Sequence, residues 1–180
     1  AERTGVWSQV RDSKLLQPGV RTELATAVRA AACAWGVGLA SAWEIDAMGI
    51  APATRLAMQR AVESLTPPPD YLLIDWVRLP RLNIRQESFT KADRRIVSVA
   101  AASILAKTTR DAYMVELEAD HPAYGFARHK GYGSAAHLAA LDAHGPCPEH
   151  RHSFAPIARR PALFPASAPV INQSSSGEAA

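Results

Sequence analysis

One short stretch limits the folds open to this chain: Tyr71-Leu72-Leu73-Ile74-Asp75, which follows the breaker Thr66-Pro67-Pro68-Pro69. An apolar run ending in a carboxylate reads as a buried strand that delivers a charge at its carboxyl end. Burying that carboxylate is costly unless it is paired or meets a cation. In α/β sheets, functional groups gather at this end of the strands. Asp75 is therefore a candidate site residue; the plain alternative is an aspartate that caps the following turn.

Helical patterns surround this strand. Val20–Ala32 follows Pro18. Ala51–Leu65 places Ile50, Ala53, Leu56, Ala57, Ala61 and Leu65 near helical spacing. Val97–Leu117 is the strongest helix, with an alanine-rich start suited to close packing. Ser134–Ala143 is a short helix with Ser134 as its cap. Ala34–Ser41 (AWGVGLAS) is expected to be a short buried strand and Leu82–Phe89 a weaker one, while Asp12-Ser13-Lys14 and Tyr124–Gly133 read as loops. Alternating helices and strands predict an α/β layered fold. Proline, alanine, serine and glycine dominate from Pro161 onward, so the expected organisation is one domain over 1–160 and a disordered tail over 161–180.

Composition removes several classes of function. No stretch reaches the roughly 18 apolar residues that would span a membrane, and Ala1–Val10 has no apolar core like a signal peptide's. Cys33 and Cys147 stand far apart, so they form neither a disulfide framework nor a metal ribbon, and a cytoplasmic location is expected. The net charge of +3 is unevenly spread. Residues 1–75 carry 7 basic and 8 acidic side chains, whereas residues 76–160 carry 13 and 8. A basic second half suits a polyanion such as a nucleic-acid backbone, although an ordinary lysine- and arginine-dotted surface would look the same.

Four further groups carry chemistry. Asp93, in Thr90-Lys91-Ala92-Asp93, precedes the long helix, where a carboxylate either caps the helix or faces Asp75 across a metal site. Mg²⁺ prefers carboxylate oxygens and waters and needs few protein groups. Lys107 and Arg110 share a helix face and would meet phosphates or pair with acids; Asp111 beside them reads as a structural ion-pair partner. Phe126-Ala-Arg-His-Lys-Gly-Tyr-Gly133 combines bases, glycines and an aromatic, a mixture suited to nucleic acid, with Lys130 for phosphate, Gly131 for close approach and Tyr132 for stacking. His150 and His152, two residues apart without a third ligand, make a poor metal site and read as a packed or phosphate-facing loop.

In order along residues 10–157, the segments VRDSKLL, EIDAMGIAPATRLAM, LLID, KAD, SVAAASILAKTTRD, HPAYGFARHKGYG and HRHSFAPI resemble the ribonuclease HII family. The resemblance implies an α/β, ribonuclease H-like fold with a mixed β-sheet flanked by helices, and a catalytic domain over 1–160. It implies endonucleolytic cleavage of RNA–DNA hybrids and of ribonucleotides embedded in duplex DNA, by a monomer using Mg²⁺ or Mn²⁺. Of the family's four carboxylates, Asp75 and Asp93 correspond to two, as catalytic residues and metal ligands. Tyr132 corresponds to the residue that senses the ribose, with Lys91, Lys107, Arg110, Lys130 and Gly131 as its substrate-binding company. Three departures stand out. Trp76 replaces the small residue that usually follows the aspartate. Ala92 replaces a common glycine. The family's opening strands, with an Asp-Glu pair, have no counterpart before VRDSK. That last departure sets the expectation of a sheet missing its first strands and of a weakly active or inactive chain. The alternative it raises is a nucleic-acid-binding remnant or gene fragment.

Overall fold

The computed structural model describes residues 5–159; the tail expected over 161–180 lies outside the described residues. Helix α1 (Pro18–Ala31) begins with proline at its first turn, where the missing N–H costs no hydrogen bond. Helices α2 (Ala42–Met48) and α3 (Ile50–Glu63) follow, separated by Gly49. Strands β1 (Tyr71–Asp75) and β2 (Arg85–Phe89) pair in parallel, with Tyr71 opposite Arg85 and Asp75 opposite Phe89. Then come the long helix α4 (Val97–Asp120), the single turn α5 (Phe126–His129), α6 (Ala135–His144) and the short α7 (Ala155–Ala158). Among the described residues no helix is long and apolar enough to cross a membrane.

Helix α4 is the spine. Its first half presents Ala100, Ala101, Ile104 and Leu105 to Leu24, Ala25 and Val28 of α1. The alanines allow the close approach their pattern predicts. Its second half presents Met114 and Leu117 to Tyr124, Phe126, Leu141 and Cys147. A third cluster packs Leu72, Ile74 and Leu79 against Met58 and Val62 of α3. Strand β1 buries only one face: Leu72 and Ile74 point inward, while Leu73 is 41% exposed.

Several elements differ from the sequence reading. Tyr124–Gly133, expected to be a loop, contains the helical turn α5, and the strand expected over Leu82–Phe89 begins only at Arg85. Ala34–Ser41 has no regular secondary structure and is not a strand. Its glycines lie directly on α3, where a Cβ on Gly38 would sit 1.9 Å from the Ala57 carbonyl oxygen and one on Gly36 would sit 2.2 Å from Ser64 Oγ. The two-stranded β1–β2 sheet offers this segment no ladder partner among the described residues, so helix contact replaces strand pairing. Helix α2 is a further difference. It forms because Ser41 accepts the Glu44 N–H while the Glu44 carboxylate accepts the Ser41 N–H, a capping box.

Candidate active site

The carboxyl end of β1 and the turn before α4 meet. Asp75 Oδ1 accepts the Ala92 N–H at 2.8 Å. Ala92 is fully buried and opens a 3₁₀ turn, Ala92–Arg94, that carries Asp93. The peptide bonded to Asp75 thus directly precedes Asp93, which brings both candidate acids to one end of the sheet. Lys91 enters this turn in the left-handed region, at φ 56°, with its side chain exposed. Asp93 is half-buried and lines a small cavity of about 30 Å³ with Val10 and Arg11.

A third carboxylate, Asp12, is buried on the neighbouring turn but is committed elsewhere. Its Oδ1 accepts the Lys14 N–H at 3.0 Å and its Oδ2 lies 3.4 Å from Arg94 Nε. Its place in VRDSKLL signals a cap for the 3₁₀ turn Ser13–Leu15, and the structure adds a tie to the Asp93 turn. Among the described residues, no three His, Cys, Asp or Glu side chains converge as a metal cage. Asp75 and Asp93 still suit a hydrated hard cation, because Mg²⁺ is commonly held through one or two carboxylates and keeps several waters.

The remaining candidates lie further along α4. Lys107 Nζ bonds Asp111 at 2.6 Å and stands 5.3 Å from the centre of the Tyr132 ring, a cation–π distance. Asp111 also takes Arg21 at 3.3 Å, so it has the ion-pair role its mid-helix position implies. Tyr132 is 64% exposed. Gly131, at φ 77°, lies so close to α4 that a Cβ would fall 3.1 Å from Met114 Cε and 3.4 Å from an Arg110 guanidinium nitrogen. Lys130 adopts φ 53° and donates to the Ala127 carbonyl within its own turn. Lys107, Arg110, Gly131 and Tyr132 therefore form one surface. Lys107 lies ten residues into α4, roughly 15 Å along the helix from its start beside the acids.

Beside this surface lies a histidine cluster, of which the sequence reading singled out only His150, as part of a packed or phosphate-facing loop. His150 Nδ1 accepts the Cys147 N–H at 3.0 Å, His137 Nε2 stands 3.0 Å from His150 Nε2, and His137 Nδ1 stands 3.0 Å from the Tyr132 carbonyl oxygen. His129 stacks on His137 with ring centres 4.4 Å apart and bridges the Gly131 N–H and the Tyr124 carbonyl. Burial, reinforced by the neighbouring His137, pulls His150 down from 6.5 to about 4. Burial likewise raises the Cys147 thiol, so this cysteine is a packing residue and not a thiolate nucleophile. A second tie joins distant segments: Asp46 on α2 accepts the His152 N–H at 2.7 Å, the Ser153 N–H at 2.9 Å and the Ser153 hydroxyl at 2.5 Å. These bonds, the Ser153 hydroxyl foremost, hold Asp46 below the usual carboxylate range.

The fold has a solved counterpart: the crystal structure of the ribonuclease H2 from Pyrococcus horikoshii OT3 superposes with a TM-score of 0.65 at 24% identity, covering 86% of this chain and 79% of that one. The molecule is thus of the ribonuclease H-like α/β class. A family model described as Ribonuclease HII matches residues 8–157. The Ribonuclease HII of Dechloromonas aromatica is 51% identical over 155 residues, spanning 86% of this chain and 79% of that protein. That of Chromobacterium violaceum is 52% identical over 147 residues, spanning 81% and 74%. The chain belongs to the ribonuclease HII family, a family of ribonuclease H hydrolases.

Proposed function

We propose that this protein is an endonuclease that cuts the RNA strand of RNA–DNA hybrids and ribonucleotides embedded in duplex DNA, as a cytoplasmic monomer. The reading rests on family membership. The observation that supports it is the Asp75–Ala92 bond, which ties the residue before Asp93 to the carboxyl end of β1. Asp75 and Asp93 would hold Mg²⁺ or Mn²⁺ through their carboxylate oxygens. Bound there, such an ion supplies Lewis-acid stabilisation and an activated water.

The chain's own residues have distinct tasks. The Ala92 N–H fixes the Asp75 carboxylate, so its remaining oxygen is pre-oriented. Lys91 and Arg110 supply positive charge for phosphates. The Lys107 ammonium holds the Tyr132 ring in place, and the exposed ring packs beside the ribose, whose 2′-hydroxyl separates RNA from DNA. In the hydrolysis, a water oxygen bonds to phosphorus as the P–O3′ bond breaks. One fragment keeps a 3′-hydroxyl and the other a 5′-phosphate.

The test is cleavage of a duplex carrying one ribonucleotide, in Mn²⁺, by the 180-residue chain. Cutting 5′ to the ribonucleotide that disappears in Asp75→Asn supports the nuclease site and overturns the expectation of an inactive chain. Hybrid binding without cleavage, surviving Asp75→Asn and falling in Tyr132→Ala, would identify a recognition module in place of a nuclease.

A further inference from the structure

The residue after Asp75 is held in a conformation that its side chain disfavours. The Asp75 carbonyl accepts the Val77 N–H at 2.8 Å across Trp76, whose φ is 66°. This is a γ-turn with its central residue at positive φ, a rare and strained arrangement. For a bulky side chain such a backbone is an outlier, whereas glycine adopts it freely. Burial gives little in return, because Trp76 is 75% exposed. Its N–H donates to the Phe89 carbonyl at 3.0 Å, extending the β1–β2 ladder, but glycine would make the same bond. Packing and hydrogen bonding therefore give no reason for an indole here. Strain that the fold does not explain points toward function.

The surroundings say what kind of function. Trp76 and Lys91 flank the Asp75–Ala92 bond, one on each chain segment, and both have positive φ and are exposed. Beside this bond the chain is basic and exposed: Arg78 follows Trp76 by two residues, and Lys91, Arg94 and Arg95 flank Ala92 and Asp93 on the other segment. Arg94 reaches Asp12, whereas Arg85, opposite Tyr71 and 5.5 Å from its ring centre, lies at the far end of the strands. An exposed indole among bases is the combination that nucleic-acid surfaces use, the bases following the phosphates and the ring packing on a nucleotide.

We propose that Trp76 is a substrate-contacting residue whose indole face packs against a nucleotide flanking the scissile phosphate. The proposal rests on the nuclease reading and adds a second aromatic contact, next to the acids themselves, where Tyr132 lies farther along α4. The strained backbone then has a purpose: it turns the indole out of the sheet at the edge of the acid pair.

The experiment titrates the full chain with an RNA–DNA hybrid in EDTA, so that binding is read without cleavage. Trp76→Gly is expected to bind about tenfold more weakly while its thermal midpoint equals or exceeds that of the parent, since the strain is gone. Trp76→Phe, which keeps a ring, is expected to stay within about threefold. The emission of Trp76, taken as the difference between the parent protein and Trp76→Phe, should be quenched by the hybrid. That last reading does not depend on how well the glycine variant folds. Parent-like affinity in Trp76→Gly, or Trp76 emission indifferent to the hybrid, overturns the proposal and leaves the nuclease reading to be judged by Asp75→Asn. A parent chain that neither binds nor cuts the hybrid overturns both.

Discussion

His137 and His150 face one another through their Nε2 atoms at 3.0 Å, and backbone groups decide which one carries the proton. The Cys147 N–H occupies His150 Nδ1, so the His150 proton sits on Nε2 and is donated to His137. His137 then carries its own proton on Nδ1 and donates it to the Tyr132 carbonyl. The relay runs from a buried peptide to the backbone of the exposed tyrosine, and it works only while both rings are neutral.

A pH dependence follows. His150 titrates at about 4 in the folded protein, below the ordinary 6.5, because it is buried beside His137, with His121 and His152 also near. Cys147, Tyr124 and Phe126 complete its surroundings. As pH falls, the unfolded chain takes up this proton first. The stabilisation is therefore complete above about pH 6.5, declines between 6.5 and 4, and falls no further below that range. Urea unfolding should show a loss of about 3 kcal/mol from this group between pH 7 and pH 4. His150→Gln, which keeps an acceptor for the Cys147 N–H, should flatten that slope. An unchanged slope would assign the acid sensitivity to other groups.

Arg21 joins three segments. Its Nε donates to the Ser13 carbonyl at 2.9 Å, one terminal nitrogen donates to the Leu16 carbonyl at 2.9 Å, and the other reaches Asp111 at 3.3 Å. The residue is 8% exposed. Arg21→Ala is expected to cost about 3 kcal/mol, since it leaves buried carbonyls and a carboxylate short of a partner. Lysine cannot reproduce the fork and should recover less than half of the loss. Chemical denaturation of the two variants checks both expectations.

Glycines give a contrast that needs no charge. At Gly38, an added methyl would meet the Ala57 carbonyl oxygen at 1.9 Å and the Ala61 nitrogen at 2.6 Å, both rigid helix backbone. At Gly133 nothing lies within 4 Å. Gly38→Ala should therefore destabilise by about 1–3 kcal/mol as α3 is pushed away, while Gly133→Ala should be near neutral. Equal melting temperatures for the two would mean that the Ala34–Ser41 segment does not pack on α3 as described.

How much of this was legible beforehand depended on the range of the interactions involved. Strand β1 could be read to the residue, because a proline run and a terminal carboxylate bound it locally. Helix α3 followed from periodicity, α1 and α4 from helix-forming composition, and Ser134 caps α6 as its position implies. Ala34–Ser41 was misread because an apolar run signals burial but not which element buries it; the glycines at 36 and 38 were the available clue to a close backbone approach. Helix α2 carried its own signature, serine three residues before glutamate, within a segment too short for periodicity. The meeting of Asp75 with the Asp93 turn is written in neither segment. The same holds for Asp46, whose partners at 152 and 153 lie over a hundred residues away. Histidine spacing likewise hid the relay, because His137 and His150 come from separate elements.

Asp75 separates the structural role of its carboxylate from its charge. One oxygen accepts the buried Ala92 N–H at 2.8 Å. Asparagine keeps a carbonyl oxygen that can accept this bond, so Asp75→Asn should stay within about 1 kcal/mol of the parent. Alanine leaves the donor unsatisfied and should cost about 1–3 kcal/mol. For the site, the order is different. Both substitutions remove the negative charge that a hard cation requires, so calorimetric Mn²⁺ titration should weaken equally in the two. Cleavage of a ribonucleotide-containing duplex should fall by at least about 100-fold in both. A stable asparagine variant that binds Mn²⁺ and cuts like the parent would remove Asp75 from the chemistry and leave it as the bracket that holds the Asp93 turn against the sheet.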